Sequence, residues 1–297
     1  MMYKLELTAC VLTTLITLSG CTGDDAGVDS RPRALLVVSN HGELGDTGVK
    51  TGVWMAELTH PYWALADADL DFDIDIASPD GGDAPIDAFS VRFDFDEFLA
   101  TGNPASGDPG NDRFLESDQT RHLVATHTET VTDQDGASAE VTYHRFVDTL
   151  PLSELDVEDY DVIYIAGGNG AMWQLPDHAE LHRFIRDTYE SGRIVAAACH
   201  GSSALLNTTL SDGSYLVEGK RVTGFSTAEE VYLGQDQIMP LLIQETFDDR
   251  GADYVEAAPW AANVIVDGRL ITGQNPPSAE GVGAAMVAAV RAQRGLD

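Results

Sequence analysis

Short apolar runs recur along the chain and predict buried β-strands. Residues 34–39, 161–166 and 193–198 are rich in aliphatic side chains and show no regular polar alternation. Such runs are typical of parallel strands that are covered on both faces. Residues 72–77 instead alternate apolar side chains with aspartate, which predicts a strand with one wet side. Shorter strands are predicted at 221–224, 263–266 and 270–272.

Helical periodicity separates these strands. Residues 177–191 place Leu181, Phe184, Ile185 and Tyr189 on one face, which predicts an amphipathic helix. Further helices are predicted at 52–66, 202–206, 238–250 and 278–294. Strands and helices that alternate at this spacing predict an α/β fold, with a mostly parallel sheet and helices on both faces.

Residues 80–152 interrupt this alternation. Strands are predicted at 122–131 and 139–147, and the sequence Asp-Gln-Asp-Gly at 133–136 is typical of the hairpin turn between them. Residues 103–111 are rich in glycine and proline and are predicted to be a loop. We therefore expect a small inserted subdomain or hairpin beside the main sheet.

The N-terminus resembles a secretory signal. Residues 7–18 are mostly apolar, and this twelve-residue run is too short to span a bilayer as a helix. The sequence Leu-Ser-Gly that precedes Cys21 resembles a bacterial lipobox; an ordinary signal peptide with a chance cysteine is the alternative. The lipobox predicts an exported protein that is lipid-anchored to the cell envelope at Cys21. The predicted regions are a signal peptide at 1–20, a polar tether at 21–32 and an α/β domain at 33–297.

The charge balance is strongly acidic. There are 49 acidic and 17 basic residues, for a formal net charge of -32. This charge disfavours nucleic acid and anionic membrane surfaces as partners, and it favours neutral or cationic small-molecule substrates. We interpret it as adaptation to a saline medium; the alternative is an acidic secreted protein.

Cys199 carries the clearest chemical signal. If Cys10 leaves with the signal peptide and Cys21 is lipidated, Cys199 is the one thiol left in the folded domain. The sequence Ala-Ala-Cys-His-Gly at 197–201 follows a predicted strand and precedes a predicted helix, as in a nucleophile elbow. This turn puts the sulfur at the carboxyl edge of the sheet and at a helix N-terminus, which would favour the thiolate. A buried, inert cysteine is the alternative.

Several segments together resemble the ThiJ/PfpI superfamily, and within it the branch of heat-shock chaperone-like proteins and cofactor-free glyoxalase III enzymes. The resemblance implies a flavodoxin-like fold of the glutamine amidotransferase kind. It covers most of the chain from residue 34 onward, outside about 80–152. The segments that carry it are 50–61, 166–170, 175–177, 195–201, 222–230, 258–260 and 267–276.

The resemblance implies roles for individual residues. Cys199 matches the family's nucleophile, and Glu57 matches the glutamate that approaches its sulfur. A carboxyl beside a thiolate must be protonated, so Glu57 could act as a general acid or base. His200 and Glu230 match the remaining members of a Cys-His-acid set, with Glu229 as the less favoured choice of acid.

The resemblance also implies an oxyanion hole made by the backbone N–H groups of Gly168 and His200. The sequence departs from the family pattern at three positions. Asn169 stands where relatives commonly have histidine, Ser202 where they have proline, and Gln174 where they often have aspartate. The loss of histidine at 169 removes a proton carrier, so the substrate or activity could have shifted.

The resemblance implies a cysteine-dependent enzyme that converts small α-oxoaldehydes, such as methylglyoxal, to hydroxy acids without a cofactor or metal. A cysteine amidase or peptidase stays open, as does a non-enzymatic holdase chaperone or redox sensor. Because relatives are often dimers, a homodimer is also predicted. His122 and His127 could bind zinc only with a distant carboxylate, so we predict no metal site.

Overall fold

A mixed, mostly parallel β-sheet forms the centre of the computed structural model, which describes residues 31–93, 107–132 and 138–296. The strands are β1 (Arg33–Val37), β2 (Asp73–Ser78), β3 (Gly82–Ile86), β4 (Val124–Thr132), β5 (Ser138–Pro151), β6 (Val162–Ile165), β7 (Ile194–Ala198), β8 (Arg221–Val222), β9 (Asp253–Tyr254), β10 (Val264–Asp267) and β11 (Leu270–Gly273). The helices are α1 (Met55–Ala66), α2 (Pro109–Glu116), α3 (Ala171–Gln174), α4 (Ala179–Glu190), α5 (Thr227–Leu233), α6 (Ile243–Asp249) and α7 (Ala279–Arg294).

The strand order of the main sheet is β10-β11-β7-β6-β1-β2-β5-β3, and β4 pairs with β5. The pairings from β11 to β5 are parallel, whereas β10, β3 and β4 are attached by antiparallel pairing. β8 and β9 form a separate two-stranded sheet. The predicted α/β class with a mostly parallel sheet is confirmed.

Two hydrophobic cores cover the two faces of the sheet, because successive side chains of a strand point to opposite sides. Leu35 and Val37 of β1 belong to the core that includes Phe184 of α4. Leu36 of β1 belongs to the other core, with Met286 of α7. Helices therefore lie on both faces, as the periodicity predicts.

The region around 80–152 extends the main sheet. The whole of β4 pairs antiparallel with residues 138–146 of β5, and the C-terminal end of β5 pairs parallel with β2. These two strands correspond to those predicted at 122–131 and 139–147, while the turn predicted at 133–136 lies outside the described residues. The boundaries of the insert stay a prediction.

The loop predicted at 103–111 is wrong at its C-terminal end, where α2 begins. The Asp108 side chain accepts a hydrogen bond from the Asn111 backbone N–H, and Pro109 occupies the first turn. A capping aspartate followed by proline is a helix start, so the same residues that suggested a loop begin a helix.

Helices α1 and α7 pack closely, and Gly283 is the residue that permits it. A Cβ atom on Gly283 would lie 2.6 Å from the Ala64 Cβ and 3.0 Å from the Pro61 Cα. α1 carries Glu57 in its first turn, so this contact helps to fix the helix that supplies a residue of the candidate site.

We predict that Gly283→Ala lowers the free energy of unfolding by about 1–3 kcal/mol, because an added methyl group overpacks this contact. Denaturant unfolding monitored by circular dichroism measures the change. The matched control is Gly281→Ala in the same helix, where the residue is exposed and the atom nearest to an added Cβ is a Val264 methyl group at 2.9 Å. One side-chain methyl has to give way there, against backbone and side chain at Gly283, so alanine should cost less stability, and its higher helix propensity offsets part of the loss. Equal effects of the two substitutions would contradict the packing argument.

Candidate active site

Cys199 lies on a strained turn directly after β7. Its φ is +52°, in the left-handed region that non-glycine residues seldom adopt. A 3₁₀ helix, Cys199–Leu205, starts at this residue, where the sequence predicted a helix from 202. Cys199 lines a cavity, although only 3% of the residue is exposed, and the surrounding structure enforces its strained conformation.

His200 connects the thiol to a buried carboxylate. Its Nδ1 lies 3.5 Å from the Cys199 Sγ, and its Nε2 lies 2.7 Å from Oε1 of Glu230. Both His200 and Glu230 are about 2% exposed, so the ring has little freedom to reorient. The structure thus brings the three residues into one chain of contacts in the order Cys199, His200, Glu230.

Glu229 has a different position from its neighbour. Its two carboxylate oxygens accept hydrogen bonds from the Ser226 hydroxyl and the Gln274 side chain, and from the Trp260 backbone and the Asn275 side chain. Glu229 therefore ties the segment that carries Trp260 to α5, and it does not contact His200. The Ser-x-x-Glu spacing at 226–229 is a capping box, a sequence signal that could have identified this role.

Glu57 reaches the thiol from the first turn of α1. Its Oε2 accepts a hydrogen bond from the Gly167 backbone N–H at 3.0 Å. Its buried Oε1 accepts from no N–H group of the described residues, and the Cys199 thiol is the group that interacts with this carboxyl. A Cβ on Gly167 would lie 2.4 Å from Oε2, so only glycine leaves room for the carboxyl here.

Burial makes Glu57 and Cys199 a coupled acid pair. Desolvation raises the pKa of Glu57 to about 7, against the opposing effect of the thiol hydrogen bond. Desolvation and the neighbouring Glu57 charge raise the pKa of the Cys199 thiol well above its ordinary value. Because burial raises both pKa values, the pair keeps at least one proton near neutral pH, held between the carboxyl and the sulfur.

The expected thiolate at the helix N-terminus, beside a protonated Glu57, stays a prediction. The His200 backbone N–H lowers the pKa of Cys199, as that expectation requires, whereas burial and the adjacent carboxyl raise it. The sequence could not show this opposition, because desolvation depends on how deeply the two groups are enclosed.

Gly168 lies in the loop that follows β6. Its φ is +102°, and a Cβ there would lie 2.3 Å from the Trp54 backbone nitrogen, so the position requires glycine. Gly168 lines the same cavity as Cys199 and His200. The oxyanion hole formed by the Gly168 and His200 N–H groups stays a prediction.

The cavity above Cys199 has a volume of 740 Å³ and a mostly apolar lining. Of the three departures from the family pattern, Asn169 lines this cavity. Gln174 instead accepts a hydrogen bond from the Asn40 backbone N–H, and Ser202 lies fully buried, with its hydroxyl 3.5 Å from the Thr223 carbonyl. Sequence reasoning did not identify the aromatic wall residues Phe89, Phe93, Phe225 and Tyr232.

Within the residues that the structure describes, no group of three or more His, Cys, Asp or Glu side chains could hold a metal ion. Over the same residues, no helix combines the length and the apolar character needed to cross a membrane.

A model of the DJ-1/PfpI family matches residues 111–289, which is more than half of the chain. The chain belongs to the DJ-1/PfpI family. The elbow at Cys199 and the 3₁₀ helix that follows it lie within the matched range, whereas Glu57 lies before it. The resemblance to ThiJ/PfpI proteins is thereby confirmed, and the relatives described next confirm the resemblance to the glyoxalase III branch.

The curated relatives of this DJ-1/PfpI protein include two yeast enzymes. Glyoxalase 3 of Candida albicans is 36% identical over 135 residues, which are 43% of this chain and 56% of that protein. The glutathione-independent glyoxalase HSP31 of Saccharomyces cerevisiae is 28% identical over 255 residues, or 83% of this chain and 93% of that protein.

Solved structures of the family superpose over most of the chain. The Rapid Encystment Protein 24 kDa of Francisella tularensis has a TM-score of 0.72 and 31% identity, covering 87% of this chain and 99% of its own. Glyoxalase III of Candida albicans has a TM-score of 0.67 and 26% identity, covering 88% of this chain and 98% of its own.

The predicted export and lipid anchor at Cys21 are wrong. The relatives that match this chain are glyoxalase III and Hsp31 proteins, and nothing in the comparisons supports a signal peptide or export. The lipobox interpretation rested on four residues after a short apolar run, a pattern that arises easily by chance. Residues 1–30 lie outside the described part of the chain.

We predict that Glu57→Gln lowers the pKa of the Cys199 thiol, because it removes the adjacent negative charge and leaves burial unchanged. The thiolate absorbs in the ultraviolet, so a pH titration of that absorbance gives the midpoint. Cys199→Ser supplies the baseline, and the exposed Glu280→Gln is the matched control that should titrate like the wild type. An unchanged or higher midpoint in Glu57→Gln would show that the carboxyl does not act on the sulfur.

Proposed function

We propose that this protein is a cysteine-dependent, cofactor-free glyoxalase that converts small α-oxoaldehydes to hydroxy acids, such as methylglyoxal to lactate. The observation that carries the proposal is Cys199, which lines the cavity, paired with the buried Glu57 carboxyl whose pKa is coupled to that of the thiol. The names of the relatives support it, since several are glutathione-independent glyoxalases.

In the first step the Cys199 sulfur adds to the aldehyde carbon and forms a hemithioacetal. Glu57 takes the thiol proton as the C–S bond forms and passes it to the aldehyde oxygen, which completes the hemithioacetal and leaves Glu57 as a carboxylate for the second step. The backbone N–H groups of Gly168 and His200 would stabilise the charge that develops on the aldehyde oxygen.

In the second step a proton leaves the former aldehyde carbon and is returned to the neighbouring carbon, which converts the hemithioacetal to a thioester. Glu57 is the base that carries this proton, because its pKa of about 7 lets it both accept and return a proton near neutral pH. His200, held by Glu230 at 2.7 Å, assists at the oxygen atoms. Water then hydrolyses the thioester, releasing the hydroxy acid and the free thiol.

We predict that the wild-type protein forms lactate from methylglyoxal without added glutathione and that Cys199→Ala reduces this activity to background. Glu57→Gln should lower kcat by about 10²–10⁴-fold, the usual contribution of a positioned acid or base. Glu280→Gln should retain wild-type activity, since its side chain lies exposed on α7. The measurement is lactate release with reduced protein.

The same assay separates the alternatives. Release of amine from amide substrates, without lactate from methylglyoxal, would instead indicate a hydrolase. Suppression of client aggregation that survives Cys199→Ala would indicate a holdase. The homodimer stays a prediction. Sedimentation analysis measures the oligomeric state.

A further inference from the structure

The cavity over Cys199 is larger than a small oxoaldehyde requires. Its 740 Å³ falls within the range of about 300–1,000 Å³ that is typical of pockets for drug-sized ligands. Methylglyoxal carries a single methyl group beside its reactive carbonyls. Methylglyoxal would therefore fill only a small part of the cavity while it reacts.

One set of aromatic side chains leads from the site to the surface. The Phe225 ring lies 4.3 Å from the His200 ring, Trp260 lies 5.8 Å from Phe225, and Tyr232 lies 5.5 Å from Trp260. All of these side chains line the cavity. The Trp260 backbone N–H donates a hydrogen bond to the Glu229 carboxylate, which fixes Trp260 in this row.

A second aromatic set lines the same cavity. Trp54 packs with Phe93 at 5.7 Å and with Phe89 at 6.2 Å, and the rings of Phe89 and Phe93 are 4.9 Å apart. We call the two sets together the aromatic slot (Trp54, Phe89, Phe93, Phe225, Tyr232 and Trp260). Ring faces and edges of this kind favour contacts with another aromatic group.

Two members of the aromatic slot are exposed to an unusual degree. Phe89 is 60% and Tyr232 is 64% exposed, although large aromatic side chains normally lose most of their contact with water. Both line the same cavity as Cys199, so they are open to a group that extends along the cavity from the sulfur. The formal charge of -32 favours a neutral group over an anionic one.

We propose that the preferred substrate is an α-oxoaldehyde whose ketone carbon carries an aryl or similarly bulky apolar group, which occupies the aromatic slot. This inference rests on the proposed glyoxalase function and names its substrate class. The chemistry is unchanged: the sulfur adds to the aldehyde, the proton moves to the adjacent carbon, and water releases the hydroxy acid. Phenylglyoxal plus water would give mandelate.

The test compares initial-rate kcat/KM values for phenylglyoxal and methylglyoxal. We expect the wild type to favour phenylglyoxal by about tenfold or more, since even one added methylene in an apolar pocket is worth about 10–200-fold. The preference should fall by about tenfold in Phe89→Ala and in Tyr232→Ala. Taking the ratio between protein variants cancels the intrinsic reactivity of the two aldehydes.

The matched control is Val231→Ala. Val231 is the neighbour of Tyr232 on α5 and is 58% exposed, but it does not line the cavity, so the ratio should stay at the wild-type value. Because these side chains are more than half exposed, the variants should fold, and circular dichroism checks this.

The outcomes distinguish the two proposals. Turnover of methylglyoxal with a substrate ratio that Phe89→Ala and Tyr232→Ala leave unchanged overturns the aryl preference and leaves the glyoxalase function standing. The aryl preference is also overturned if the two variants dissociate a dimer without changing the substrate ratio. That result would show that a second copy of the chain, and not the substrate, covers these rings. Absence of both lactate and mandelate overturns the proposed function itself.

Discussion

The contact between two buried acids, the Glu57 carboxyl and the Cys199 thiol, is the constraint on which the candidate site depends. Neither group can ionise freely in an enclosed apolar setting, so the pair keeps one proton over a wide pH range. The fold must bring the first turn of α1, the loop after β6 and the turn after β7 within contact distance. The parallel order of β1, β6 and β7 achieves this, because their carboxyl ends meet at one edge of the sheet.

The surroundings of this pair are held in place by costly local features. Cys199 has a positive φ, and Gly168 has a conformation that side chains cannot share. Glu229 is fully buried and is satisfied by several hydrogen bonds, which fix the wall that contains Trp260. Such strain and burial persist only where neighbouring packing enforces them, and the close α1–α7 contact at Gly283 is one example.

The sequence predicts the strands and turns of this fold well, but it predicts the pKa values of the buried groups poorly. The apolar runs at β1, β6 and β7 are visible because strands buried on both faces need no polar alternation, and the small residues around Cys199 are visible because a tight turn demands them. The raised thiol pKa is invisible, because it depends on enclosure by residues far apart in the chain. Phe89 and Phe93 carry no periodic signal either, since they lie in the region that interrupts the α/β alternation.

The N-terminal prediction failed for a related reason. A short apolar run before Cys21 fits a lipobox on composition alone, and no long-range constraint tests it. The prediction for Cys199 was stronger, because strand, turn and helix all have to agree around that residue.

Infrared difference spectroscopy of the Glu57 carboxyl as a function of pH tests the central claim most directly, with Glu57→Gln identifying the band. We expect a carboxylic acid C=O band that persists at mildly acidic pH and disappears with a midpoint of about 7. A band that disappears near the ordinary carboxyl pKa of 4.5 would show that Glu57 is solvated and independent of the thiol, and the account would fail.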